Sequence, residues 1–181
     1  MAKSRSEHLV IDASVAQAAG PEKAVHPTAK RCRDFLLAIL SICHRATFSP
    51  EIEEEWDKHQ SSFAFQWRVS MFARKKIDRI GSRQNLELRR KTREAAAGEK
   101  QAEAMLKDIH LVEAALESGK RIASLDEIVR RYFRSSSQSV GQLRTICWIN
   151  PNGAEEEPLE WLRSGAPLDA FRKLGHTTDR E

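Results

Sequence analysis

The chain has 181 residues, enough for one domain with a sizeable core and too few to require a second. Apolar residues make up 40% and charged residues 31%, with 4 tryptophans and 7 phenylalanines, which excludes a disordered chain. A net charge of +4 is too mild to name a polyanionic partner by itself.

No apolar run approaches the roughly 18 residues a membrane span needs, and the opening MAKSRSEHLV lacks the apolar core of a signal peptide. A cytoplasmic protein with no membrane partner is expected. Cys32, Cys43 and Cys147 are odd in number and widely spaced, so they suggest neither a disulfide framework nor a zinc site.

Leu9, Val10 and Ile11 read as a short buried strand that ends at Asp12, and Gly20 with Pro21 marks a loop. From Thr28 to about Arg45, the spacing of Cys32, Phe35, Leu36, Ile39, Leu40 and Cys43 predicts a helix that buries one face. Ala46 to Phe48 is a second strand, and Ser49 with Pro50 starts a helix whose buried stripe carries Ile52 and Trp56. Residues 61 to 107 are expected to be helical: Phe63, Phe65, Trp67, Val69 and Met71 alternate as a strand would, yet Phe65, Val69 and Phe72 also fit a helix.

Asp108 is expected to open another helix, with Ile109, Val112, Ala115 and Leu116 on one face and Ser118 and Gly119 at its end. Ile122 and Ala123 make a third strand. Ser124 and Glu127 have capping-box spacing for the helix that follows. Thr145 to Ile149 is a fourth strand, and the tail from Pro158 should pack as short helices.

Strands separated by helices predict an α/β fold with a parallel sheet covered on both faces, where ligands bind beyond the carboxyl ends of the strands. Four acidic positions share that edge: Asp12, one of Glu53 to Glu55, Asp108 and Asp126. Gathered carboxylates repel one another, and a hard divalent cation removes that penalty. Mg²⁺ or Mn²⁺ so held can activate water and stabilise the leaving oxygen of a phosphodiester. Each acid also has an ordinary reading: Asp12 as a turn residue, Asp108 as a helix cap, Asp126 as a first-turn acid and the glutamates as a solvated face.

The stretches LVIDASVA, SPEIEEEW, DIHLVEAAL and ASLDEIVRRYF resemble, in order, the four acidic blocks of PIN-domain nucleases, over residues 9 to 133. The resemblance implies a three-layer αβα PIN-like fold with a short, mostly parallel sheet. Residues 1–181 would form one such domain, with a helical insertion at about 61–107 and a C-terminal extension at about 150–181. It further implies that Asp12, Glu55, Asp108 and Asp126 are the catalytic, metal-binding residues, with Glu54 the near alternative to Glu55 and with Ser14 and Ser124 supporting them. The activity implied is metal-dependent endoribonuclease cleavage of RNA, single-stranded by preference. A small antitoxin protein and a homodimer are further partners that the resemblance leaves open, as is the role of toxin in a toxin–antitoxin pair. The competing class is a catalytically silent PIN-like module that binds nucleic acid or protein.

The chain departs from the compact toxin members in the length between Glu55 and Asp108. From Arg68 to Arg93 it carries ten basic residues against two acidic ones, and Arg68, Arg74, Lys75, Lys76, Arg79 and Arg83 are the candidates for tracking a phosphate backbone. Residues 94–117 reverse sign, so pairing between two antiparallel helices would lower that free basic charge. The six histidines form no ligand spacing and are assigned no chemistry.

Overall fold

In the computed structural model, which describes residues 5–21, 23 and 25–177, the run His8–Ile11 forms β1, and its Leu9, Val10 and Ile11 are fully enclosed. Four more short strands flank it: β2 (Arg45–Phe48), β3 (Ile77–Arg79), β4 (Arg121–Ala123) and β5 (Cys147–Ile149). The order is β3-β2-β1-β4-β5 and every pairing is parallel, with Val10 beside both Thr47 and Ile122. Burial on both faces explains why β1 reads as an unbroken apolar run rather than an alternating one.

The connecting helices are α1 (Ala13–Ala18), α2 (Pro27–Ser41), α3 (Pro50–His59), α4 (Ser62–Ala73), α5 (Leu86–Ala95), α6 (Glu99–Glu117), α7 (Glu127–Ser136) and α8 (Pro158–Arg163). From β1 the chain steps to β2 and β3 on one side, then crosses to β4 and β5 on the other. Because parallel crossovers are right-handed, opposite stepping directions put α1 to α4 on one face of the sheet and α5 to α7 on the other. The packing agrees: α2 lies against α4 and α8, while α6 lies against α5, α7 and the sheet. The result is the three-layer αβα architecture that the sequence predicts.

Tryptophans tie the first layer together. The Trp67 indole donates to Leu36 O (2.6 Å), and Trp56 packs between Phe48 and Trp67 while donating to Ile11 O (2.8 Å). Ser49 caps α3 as expected, with Pro50 in its first turn. Gly119 is required by close approach, since a Cβ there would stand 2.1 Å from His8 O.

Several expectations need correction. The stretch 61–107 is not helical throughout, because residues 77–79 join the sheet as its edge strand. IDR is too short and polar to show a period; pairing with β2 and the two-pronged Arg45–Asp78 contact (2.6 and 2.5 Å) fix it. On α4 the buried positions are Ala64, Trp67 and Met71, so Phe65, Val69 and Phe72 face outward. The α2 helix stops at Ser41, short of Arg45, where the buried His44 instead reaches Leu162 O (2.8 Å). Asp108 lies in the middle of α6, whose buried stripe Ala102, Met105, Ile109 and Val112 continues without a break from its start at Glu99. Asp126, rather than Ser124, caps α7.

Candidate functional site

β1 and β4 are neighbours from which the chain departs in opposite directions, which opens a crevice at their carboxyl ends. Asp12 is the first residue beyond β1, and its N–H still pairs with Ala123 O (2.9 Å). Although it stands at the start of α1, its carboxylate makes no capping bond. Instead Oδ2 accepts from the Ser14 hydroxyl (2.5 Å) and the Ser124 hydroxyl (2.7 Å). Both hydroxyls are fixed in turn, Ser14 Oγ by Leu125 N–H (3.2 Å) and Ser124 Oγ by Asp126 N–H (3.1 Å). The two predicted supporting serines therefore lock one carboxylate oxygen, and the other makes no hydrogen bond among the described residues.

Asp126 uses Oδ1 to cap Val129 N–H (2.9 Å) at the start of α7. Its ordinary role as a helix-terminus acid is thus real, yet it engages only one oxygen. Asp108 enters from the opposite layer, on α6. Burial, then the charge of Asp12 and next that of Asp126, against the opposing pull of His110, push its carboxyl up to about 6. Among the described residues, none of these three aspartates forms an ion pair with a lysine, arginine or histidine.

Of the two neighbouring glutamates, Glu54 points outward and pairs with Lys58 one turn on (2.6 Å). Glu55 faces α6, where His110 Nε2 stands 3.3 Å from its Oε2, in ion-pair range but without hydrogen-bond alignment. His110 is buried, and its other ring nitrogen lies 3.1 Å from Lys107 O. The sequence reading passes over His110 because it looks for ligand spacings; the usable signal is a histidine amid the buried run Ile109 to Val112.

The oxygen-only aspartate set suits a hard divalent cation in chemistry. As they stand, no three His, Cys, Asp or Glu side chains among the described residues are grouped so as to hold a metal ion.

The basic candidates divide sharply. Arg68 bonds Asp57 (2.7 Å) and Glu53 (3.2 Å) and lies over the Phe48 ring; Arg79 also bonds Glu53 (2.8 Å). Lys76 reaches back to the last carbonyls of α2, donating to Ile39 O (2.6 Å), Leu40 O (2.9 Å) and Ile42 O, and burial followed by the charge of Arg74 lowers its pKa. Further along, Arg89 grips Glu113 of α6 with two bonds of 2.8 Å, Arg90 and Lys91 pair with Glu87, and Arg93 pairs with Glu99. The antiparallel pairing of basic and acidic segments does occur. Arg74, Lys75 and Arg83 are exposed and form no ion pair among the described residues.

Among the described residues no helix is long and apolar enough to cross a membrane. Comparisons with protein-family models, with curated proteins and with solved structures give no match.

Proposed function

We propose that this protein is a divalent-metal-dependent endoribonuclease that hydrolyses phosphodiester bonds of single-stranded RNA in the cytoplasm. The observation that carries the reading is Asp108, which burial first and then the charges of Asp12 and Asp126 push up to about 6, with no ion pair to any of the three among the described residues. A fold gains nothing by leaving like charges together unless a cation joins them. Mg²⁺ or Mn²⁺ bound there would lower the pKa of water and polarise the phosphoryl oxygen.

The chain's own part is orientation. Ser14 and Ser124 hold Asp12 through Oδ2 and the α7 cap holds Asp126 through Oδ1, and the remaining oxygen of each is the one a cation would use. Asp12 and Asp126 are the principal ligands. Asp108 and Glu55 complete the set or orient the attacking water, with His110 keeping Glu55 turned towards α6. Arg74, Lys75 and Arg83 are the basic residues left to steer the strand.

Labelled single-stranded RNA incubated with EDTA, with Mg²⁺ or with Mn²⁺, beside an Asp12→Asn, Asp126→Asn double variant, tests this. Metal-dependent cleavage that the variant lacks supports it. The second reading, a silent PIN-like module, is favoured by the lack of a ready-made three-residue metal site. Absence of both cleavage and Mn²⁺-induced stabilisation would establish that reading instead.

A further inference from the structure

Between α7 and the C-terminal segment the chain gathers a second group of charged side chains, in which arginines outnumber glutamates. A pocket of about 350 Å³ lies there, walled by the four arginines Arg130, Arg131, Arg134 and Arg172 and by the three glutamates Glu127, Glu155 and Glu156. The Nε–H groups of Arg130, Arg134 and Arg172 are all buried there without a hydrogen-bond partner, three of the eight such side-chain atoms among the described residues. An orphaned buried donor costs about 1–3 kcal/mol, and such a group calls for an explanation, an ordered water or a bound ion among them. Three in one pocket point to an acceptor with several oxygens.

The acids nearby do not fill that need. Glu127 and Glu156 both bond Arg130 Nη1 (3.1 and 2.5 Å), and Glu127 also accepts from the Asn150 amide (2.9 Å). Arg172 bonds Asp169 (2.5 Å) and Glu156 O. The Arg134 guanidinium has neither an ion pair nor a hydrogen bond among the described residues, and Arg131 is exposed and likewise unpaired. Burial and then the charge of Arg130 depress the Arg134 pKa, although Glu127 and Glu156 pull the other way. Arg134 and Arg131 are thus the two lining arginines whose guanidinium groups carry no direct partner among the described residues, although Glu127, Glu155 and Glu156 share the pocket with them.

We propose that this pocket is an anion site that takes the phosphate group of a nucleotide, with Arg134 as its principal ligand and Arg131 closing over it. Guanidinium forks match phosphate oxygens in pairs, which a spherical anion cannot exploit. Phe171 stands at the rim, 54% exposed, with the Arg172 guanidinium 4.4 Å from its ring centre. That leaves an aromatic surface for a base beside the phosphate. Free nucleotide and RNA strand are the two sources of such a group; only the second depends on the nuclease reading.

The test is a titration of the ¹⁵N-labelled full chain in EDTA at constant ionic strength, following the arginine Nε–Hε resonances. Inorganic phosphate, 5′-AMP and a short single-stranded RNA are added in separate arms, and chloride serves as the control. Saturable shifts with phosphate, weakened roughly tenfold or more in Arg134→Gln, are expected. Arg134→Lys, which keeps the charge but loses the fork, should bind between the two. Tighter binding of 5′-AMP than of phosphate assigns a free nucleotide, and a further gain confined to RNA assigns a strand. No phosphate-dependent shift, or shifts equal in wild type and Arg134→Gln, overturns the site. Failure of RNA cleavage leaves the phosphate and 5′-AMP arms intact, so the two readings fail separately.

Discussion

The stretch 68–93 carries ten basic residues and the switch point only three aspartates, yet the smaller group leaves the more consequential charge uncompensated. Of the ten, Arg68, Arg79, Arg89, Arg90, Lys91 and Arg93 meet carboxylates, and Lys76 is absorbed by the carbonyl end of α2. Asp12, by contrast, meets two hydroxyls, and Asp108 is half-buried and feels the charges of Asp12 and Asp126. A charge run in sequence measures composition. What a ligand feels is the remainder after the fold has paired its own groups, and by that measure the acidic crevice and the arginine pocket on α7 outrank the basic stretch.

The largest effect expected is on catalysis. Asp12→Asn keeps both serine contacts sterically but removes the charge, so metal-dependent RNA cleavage should fall by roughly two to three orders of magnitude, about 3–4 kcal/mol of transition-state stabilisation. Gel-based initial rates would show it, and near-wild-type rates would sink the site. Next in size is Glu113→Ala. Glu113 is buried, receives both prongs of Arg89 and also the Asn85 N–H (2.8 Å), so its loss strands three donors. Urea unfolding should lose about 2–3 kcal/mol. Arg90→Ala, whose acid partners are exposed, should leave the urea midpoint almost unmoved. Equal losses at the two positions would mean that the basic stretch is not internally neutralised in the graded way described.

Asp108→Asn probes the acidic side of the same contrast. The folded carboxyl ionises at about 6 against an ordinary value of 3.8, so between those values the folded state holds a proton that the unfolded chain has released. Stability from this group is therefore fully present below about pH 4, declines as pH rises through that window and stays lost at pH 7. In EDTA the Asn variant should be more stable than wild type at pH 7 by about 1–2 kcal/mol, once the shift is discounted for solvent screening, and equal at pH 4. Mn²⁺ should raise the wild-type melting temperature and leave the variant's nearly unchanged. A pH-independent difference would show that burial and the charge of Asp12 do not hold the Asp108 carboxyl above its ordinary range.

Which parts of this were legible in the sequence follows from the physics of each element. β1 was, because burial on both faces leaves an apolar run that ends abruptly at Asp12; so was the start of α3, where Ser49 and Pro50 are local signals. β3 was not, since three residues carry no period and the strand exists through Asp78 gripping Arg45 across to β2. The outward face of α4 misleads because Phe65, Val69 and Phe72 obey helical spacing as well as the buried Ala64, Trp67 and Met71 do. Asp108 reads as a helix start in the sequence and is not one, because an aspartate imitates a cap when the long stripe of α6 is read from its middle. The orphaned guanidinium groups had no sequence signal at all, for what marks them is the absence of a partner in three dimensions.

The smallest effect separates the two basic surfaces. For a single strand, each phosphate neutralised contributes about 0.7 to the salt dependence of binding. With RNA affinity measured in EDTA between 50 and 200 mM salt, Lys75→Gln and Arg83→Gln should each lower that slope by roughly one phosphate's share if the strand crosses the loop edge of the basic stretch, whereas Arg90→Gln should not. Arg134→Gln gives the counter-measurement. A slope that drops there and not at Lys75 or Arg83 would route the strand along α7, over the pocket whose donors lack partners, and from there past the Asp126 cap towards the crevice. A slope unchanged by all three would leave the basic remainder outside RNA binding altogether, and the acidic crevice would then have to recruit its substrate through the cation alone.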